Sequence, residues 1–222
     1  MTTQLALLTL LHVLIFVYWL GGDLGAFFSS YTLIDPKKPV EARLFALKVV
    51  NNVDMAPKTC LILTLPTGLT LAAAKGWLGL STGFLTTVWM ASAVWLFLVW
   101  RIHLKHLPAT AVARRVDMAV RWALVIALLL IGGAGVLGLV PELHLFIALK
   151  LLLLATAMLA GLMVRRALGP LFTAVREMAA NGPSPEGDAA MRHIILRRSK
   201  PTVVFIWIVI TAAAFCGIAI PI

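Results

Sequence analysis

Long apolar runs dominate the chain, and short polar stretches separate them. A membrane-spanning helix needs about 20 mostly apolar residues, and six runs come close to that length: roughly Gln4–Gly22, Ala56–Ala74, Phe84–Trp100, Val120–Val140, Leu143–Val164 and Val203–Ile220. Pro141 separates the fourth run from the fifth, and Pro201 opens the last. The pattern predicts an all-α fold, a polytopic membrane bundle of six transmembrane helices that forms a single domain over residues 1–222.

The composition supports a membrane protein. Hydrophobic residues make up 61% of the 222 residues and charged residues only 13%. A soluble fold with so few charged side chains could not cover that much apolar surface. The formal net charge is +10, which in a soluble protein would suggest nucleic acid as a partner.

The positions of the cations explain this charge without nucleic acid. All of the 19 lysines and arginines except Lys75 and Lys150 lie in or at the edges of three connections, at about 23–55, 101–119 and 165–200. Loops rich in lysine and arginine stay in the cytoplasm. The sequence therefore predicts that these connections are cytoplasmic, that both termini are outside and that nucleic acid is not a partner.

The long connections have local patterns of their own. Pro39–Asn52 and Leu171–Ala180 carry apolar residues at helical spacing, which predicts amphipathic surface helices. Asn181–Asp188 is rich in proline and glycine and predicts a flexible loop. Asp54 and Lys58, four residues apart at the start of the second span, predict an ion pair.

One face of the first span carries the strongest candidate site. His12, Phe16, Trp19 and Asp23 are spaced by four, three and four residues, so their side chains lie on one side of the helix. His12 lies about 12 Å along the helix from its outer end. Ionisable groups inside a bilayer are costly and often functional. Two interpretations of His12 remain: it is an axial ligand or proton-handling group, or it is a buried histidine that forms a hydrogen bond with a neighbouring helix. Asp23, at the cytoplasmic end of the span, is expected to be an interfacial or loop-pairing group.

Two further features lie at a similar depth. Lys150 is about 10 Å into the fifth span; its ammonium either snorkels outward or faces the interior, where it could meet an anionic group such as a porphyrin propionate. The fourth span carries Gly132, Gly133, Gly135 and Gly138. These glycines either allow close helix packing or leave room for a flat cofactor.

The remaining histidines are weaker candidates. His103 and His106 lie on one helix face beside basic residues, which favours an interfacial cluster over a second ligand pair. His144 begins the fifth span and is either a solvated interface residue or a second axial or metal ligand. His193 lies in a basic loop and is expected to be uninvolved.

Parts of the chain resemble two related membrane protein families. His12-x6-Trp19-Leu20-Gly21-Gly22 resembles the first-span motif of the HemJ-type bacterial protoporphyrinogen oxidases and of the CopD-type copper-resistance membrane domain. Met55-Ala56-Pro57 with the later Gly76-Trp77 is similar to the second span of HemJ-type proteins, and Leu149-Lys150-Leu151-Leu152-Leu153 is similar to the lysine-bearing helix of CopD-type domains. Together these stretches cover about a third of the chain.

The resemblance implies a helical bundle in a bacterial inner membrane with a haem-b site in which His12 is the leading ligand. Where HemJ-type proteins carry a basic residue after the first-span glycines, this chain has Gly25-Ala26-Phe27-Phe28. The resemblance therefore supports a common fold and haem site more strongly than it supports the oxidation of protoporphyrinogen by this chain. A haem site would use His12, with His144 as a candidate second ligand, Lys150 for a propionate, Trp19 as a pocket wall and Gly132 and Gly133 as the space beside it.

Three classes of function remain open at this point. The first is a haem-b redox protein that oxidises a porphyrinogen-like substrate or transfers electrons, with a quinone or another membrane redox protein as partner. The second is a CopD-type copper permease. Copper(I) favours cysteine and methionine ligands, yet only Met90, Met158 and Met163 lie well within the spans. The third is a non-catalytic membrane scaffold, in which every polar residue named above serves packing or an interface. Membrane lipid is an expected partner in all three classes, and a homo-oligomer is compatible with each.

Overall fold

The computed structural model describes residues 3–108 and 110–219, and within these residues the protein is entirely helical, without a strand. The helices are α1 (Thr3–Leu33), α2 (Val40–Val53), α3 (Met55–Ala74), α4 (Thr82–Leu104), α5 (Val112–Val136), α6 (Leu145–Ala167), α7 (Gly169–Asn181), α8 (Pro185–His193) and α9 (Lys200–Ile218). A π-helical turn, Ile194–Ser199, joins α8 to α9.

Six long helices form a ring in which neighbours run antiparallel. Going around it, α1 packs on α3, α3 on α4, α4 on α5, α5 on α6, α6 on α9 and α9 on α1. We call the end where α1, α4 and α6 terminate the basic end, because the cation-rich connections lie there, and the other the far end. The all-helical prediction is confirmed.

Within the described part of the chain, five helical segments are long and apolar enough to cross a membrane: Thr3–Leu33, Thr82–Leu104, Val112–Val136, Leu145–Asn181 and Pro185–Ile218. The last two include the amphipathic helices α7 and α8. Helix α3 occupies the predicted second span but is not among the five. Its sequence carries Lys58, Pro57 in the first turn, the internal Pro66 and several threonines, which lower its apolar content.

The connections at the basic end fold into a second, smaller core. Buried residues from α1, α2, α7, α8 and the π-helical turn pack together there, including Leu33, Ala46, Val175 and Met191. The predicted helices Pro39–Asn52 and Leu171–Ala180 correspond to α2 and α7, so both predictions are confirmed. These helices form a packed cap over the bundle.

Three sequence predictions need correction. The first helix does not end at Gly22 but continues to Leu33 and terminates shortly before Pro36, because proline cannot extend a helix. The fourth span ends at Val136 rather than Val140. The region 181–188 is mostly not a loop, because α8 begins at Pro185. Proline is favoured at a helix start, and Ser184 accepts a hydrogen bond from the Gly187 backbone amide.

Other expected details fit the structure. Lys58 Nζ lies 2.5 Å from Asp54 Oδ2, as the four-residue spacing predicts. The last span begins at Lys200, one residue before Pro201, and α9 is described to Ile218. The predicted end of that span, Ile220, lies outside the described residues.

The closest approach of α1 to α3 occurs at Gly22. A Cβ atom at Gly22 would lie 2.5 Å from Pro57 Cδ and 3.0 Å from Ala56 Cβ. The glycine motif of the first span and the Met55-Ala56-Pro57 motif of the second therefore pack against each other. Gly21, the preceding residue, would meet nothing within 4 Å.

This geometry makes Gly22→Ala and Gly21→Ala a matched pair. We expect Gly22→Ala to destabilise the protein by about 1–3 kcal/mol, because the added methyl group overpacks a tight helix contact. Gly21→Ala should leave stability unchanged or raise it slightly, since alanine is the better helix former. The thermal midpoint of each variant in detergent tests this, and equal midpoints would show that the α1–α3 contact is not tight.

Candidate functional site

His12 lies between α1 and α3, half-buried, and its imidazole contacts two neighbouring residues of α3. Its Nδ1 atom is 2.9 Å from the Thr67 hydroxyl oxygen. On the next residue of α3, a Cβ atom at Gly68 would lie 3.2 Å from His12 Cε1. Thr67 is fully buried, so the hydrogen bond is formed inside the bundle.

The hydrogen bonds of Thr67 decide which histidine nitrogen carries the proton. The Thr67 hydroxyl donates to the backbone carbonyl of Leu63, at 2.6 Å. A hydroxyl has only one proton to donate, so toward His12 the Thr67 oxygen acts as an acceptor. His12 Nδ1 therefore carries the proton, and Nε2 presents a lone pair. Metal-ligating histidines in proteins usually have this arrangement, with one ring N–H held by a neighbouring acceptor.

Lys150 lies on α6, in the same half of the bundle as His12. Its side chain is half-buried, and its ammonium nitrogen lies 2.7 Å from the position a Cβ atom would take on Gly217 of α9. His12 contacts α3, whereas Lys150 contacts α9. The two ionisable residues that the sequence singles out within the predicted spans thus face neighbouring helices in the half of the bundle toward the far end.

Trp19 lies deeper in the same bundle, two turns along α1 from His12 toward the basic end. It is buried with Ile15, Cys60 and Ala157 in a core shared by α1, α3, α6 and α9. Trp19 and Asp23 both line a cavity at the basic end, and His12 is not part of that lining.

Two of the glycines of α5, Gly132 and Gly135, serve helix packing. A Cβ atom at Gly132 would lie 2.9 Å from Leu152 Cγ, and one at Gly135 would lie 2.6 Å from Leu143 Cδ2. Both glycines are buried against α6. Gly133 would meet nothing within 4 Å. The close approach at Gly132 leaves no space for a flat cofactor there, which favours the packing interpretation of this residue.

The other histidines lie near the ends of the bundle. His144 caps the start of α6, is exposed, and stacks on Phe146 with ring centroids 5.9 Å apart. His103 and His106 pack edge to face at 6.4 Å near the end of α4, where both line the basic-end cavity. His193 is exposed at the end of α8. Among residues 3–108 and 110–219, no three His, Cys, Asp or Glu side chains are grouped so as to hold a metal ion.

A buried ion cluster was missed from the sequence. Asp117, at the start of α5, accepts a hydrogen bond from Trp95 Nε1 at 2.9 Å and from Arg121 Nε at 3.0 Å. Arg165 Nη1 approaches the second carboxylate oxygen of Asp117 at 3.0 Å. The guanidinium of Arg121 also lies 5.3 Å from the Trp95 ring centroid. One carboxylate thus holds two arginines and joins α4, α5 and α6.

A second buried pair stabilises the cap at the basic end. Arg43 of α2 is completely buried; its Nη2 lies 2.6 Å from Asp188 of α8, and its Nε donates to the Leu33 carbonyl at 2.8 Å. In the sequence, Arg43, Arg121 and Arg165 serve only as markers of orientation. The one sequence feature that could have indicated the ion cluster is Asp117, the only acidic residue between Asp54 and Glu142.

Comparisons of the chain with protein-family models, with curated proteins and with solved structures found no match.

Proposed function

We propose that this protein is a haem-b-binding membrane redox protein in which His12 would bind the haem iron. The observation that carries the proposal is the hydrogen-bond chain from His12 Nδ1 through Thr67 to the Leu63 carbonyl. That chain holds the imidazole as the tautomer whose Nε2 can bind a metal. Its position inside an apolar bundle suits a haem, because the protein sets the reduction potential through axial ligands, hydrogen bonds and burial.

The proposed topology has six crossings, with α3 as the second. Helix α3 runs antiparallel between α1 and α4, and its threonines bond inward rather than to lipid: Thr67 to His12 and Thr70 to Trp89. Satisfied polar groups of this kind are tolerated inside a membrane. The basic end then faces the cytoplasm of a bacterial inner membrane, by the positive-inside rule, and both termini are outside.

Haem b would supply one-electron chemistry at its iron. The roles of the protein residues follow from their positions. His12 would bind the iron through Nε2, and the hydrogen bond to Thr67 would hold its ring in place. Lys150, half-buried in the same half of the bundle, would balance a propionate or another anionic group. A quinone, another membrane redox protein or a porphyrinogen-like substrate would exchange electrons with this site.

Thr67→Val tests the role assigned to the hydrogen bond. Valine keeps the shape of threonine but cannot accept the proton of His12 Nδ1, so the ring loses its fixed orientation. We expect haem affinity to fall by about 10–100-fold, the usual effect of losing such a supporting contact, measured by haem titration of the apoprotein. Thr64→Val is the control, because the Thr64 hydroxyl bonds only the Cys60 carbonyl of its own helix. Equal affinities of the two variants would contradict the role of Thr67.

The visible spectrum and metal content of the purified protein separate the classes of function. A Soret band that shifts on reduction with dithionite, together with about one equivalent of haem iron, supports the proposal. A colourless protein with stoichiometric copper would replace it with copper handling of the CopD type. A colourless protein without metal would indicate a non-catalytic scaffold.

A further inference from the structure

A cavity of about 790 Å³ lies at the basic end, among the ends of the ring helices and under the cap. Its lining carries basic side chains from five helices, namely Lys48, Lys58, Arg114, Arg121, Arg165 and Lys200. Three acidic residues line it as well: Asp23, Asp54 and Asp117. The lining therefore has an excess of positive charge, and the cavity is distinct from the His12 region.

Two of these three acidic side chains, Asp54 and Asp117, are already paired. Asp117 accepts from both Arg121 and Arg165, and Asp54 pairs with Lys58. One carboxylate between two guanidinium groups leaves one positive charge of the cluster without a protein counter-ion. Keeping unbalanced charge out of water is costly unless an opposite charge is supplied.

Arg121 carries the most specific signal. Its side chain lines the cavity although the residue is only 6% exposed. Its Nη2 is buried and has no hydrogen-bond partner among the described residues. Buried polar groups are nearly always hydrogen-bonded in native proteins. An unpartnered guanidinium nitrogen beside a second arginine is suited to an oxyanion, which both side chains could contact.

The rest of the lining restricts the class of anion. Apolar side chains from the ring helices form much of the wall, among them Leu61, Val99 and Ile206. A small inorganic ion would leave this apolar wall uncovered, whereas an acyl chain would cover it. Basic pockets between membrane helices on the cytoplasmic side are suited to anionic lipid headgroups.

We propose that the basic-end cavity binds the phosphate headgroup of an anionic membrane phospholipid, with Arg121 and Arg165 as its principal ligands. This proposal does not rest on the haem proposal, because the two sites share neither His12 nor Lys150. The phosphate group is common to a lipid and to free phosphate, so the experiment includes both sources.

The test compares the binding of a fluorescent phosphatidylglycerol and a fluorescent phosphatidylcholine to the full-length protein in neutral detergent. The main variant is Arg165→Gln, because Arg165 is 38% exposed and its loss perturbs the fold less than loss of buried Arg121. Arg166→Gln is the control, since Arg166 is exposed, adjacent in sequence and absent from the cavity lining.

We expect the wild type to bind phosphatidylglycerol at least about tenfold more tightly than phosphatidylcholine, and Arg165→Gln to lose about tenfold of that affinity, the effect of one charge-assisted contact. Arg166→Gln should match the wild type. Equal binding of the two lipids by the wild type would overturn the proposal, as would equal losses in Arg165→Gln and Arg166→Gln, which indicate only diffuse attraction. Displacement of the lipid by millimolar inorganic phosphate would overturn the assignment to a lipid.

Discussion

His12→Ala should yield a folded protein without a Soret band. The alanine variant keeps α1 helical, because alanine is the best helix former, but it removes the Nε2 lone pair that we assign to the haem iron. We expect haem content to fall from about one per protein to near zero, measured from the pyridine haemochrome spectrum. Far-ultraviolet circular dichroism of the same sample reports whether the helices are retained.

Two controls make this result specific to His12. His193→Ala removes an exposed histidine at the end of α8 and should retain the wild-type spectrum. Addition of imidazole to His12→Ala should restore part of the Soret band, because the free ligand can occupy the space left by the side chain. A His12→Ala protein with full haem content would show that the haem ligand is elsewhere.

Asp117→Asn should be among the most destabilising single substitutions in the chain. Asp117 is 4% exposed and pairs with two arginines from different helices. Removing one partner of a buried ion pair costs about 3–5 kcal/mol, because the remaining charge stays buried and uncompensated. We expect a large drop in the thermal midpoint in detergent, followed by circular dichroism.

The matched control is Asp54→Asn. The Asp54–Lys58 pair has the same four-residue spacing as Asp117–Arg121, but its side chains are 40% and 29% exposed. Such partly exposed helix pairs contribute only about 0.3–0.5 kcal/mol, so the midpoint should change little. Similar midpoints for the two variants would mean that burial does not strengthen the Asp117 cluster.

The fold could be predicted from the sequence to the extent that it depends on apolar length. Runs of about 20 apolar residues indicate helices whatever the order in which those helices pack. Most ends of the ring helices agree with those runs within a few residues, but α1 extends to Leu33 and α5 begins at Val112, well before the run that starts at Val120. Apolar content alone could not decide whether α3 crosses the membrane. Its threonines are compatible with a membrane span only because they form hydrogen bonds with residues of α1 and α4, and the sequence does not show these partners.

The cap was predictable only in part. Amphipathic spacing identified α2 and α7, but α8 begins within a stretch of proline and glycine that is typical of loops. Its helix depends on the Ser184 cap and on the buried pair between Arg43 and Asp188, two residues 145 positions apart. Local sequence patterns contain no information on such a contact.

The candidate site was likewise predictable only in those features that depend on local sequence patterns. Helical periodicity placed His12, Trp19 and Asp23 on one face of α1, and they do face the bundle interior. The proton acceptor for His12 is Thr67, an unremarkable threonine in the sequence, because its importance comes from the antiparallel contact of α1 with α3. The arginines at Asp117 were read as a topology signal, since charge counting does not distinguish buried from exposed cations.

The most direct test of the account is the visible spectrum of a protein with a single histidine. The chain has five histidines, and replacing His103, His106, His144 and His193 with glutamine leaves only His12. We predict that this variant, purified from the membrane, retains a Soret band that shifts on reduction and a haem content near that of the wild type. If the wild type contains haem and the single-histidine protein is colourless but folded, His12 is not sufficient as the haem ligand, and the account is contradicted.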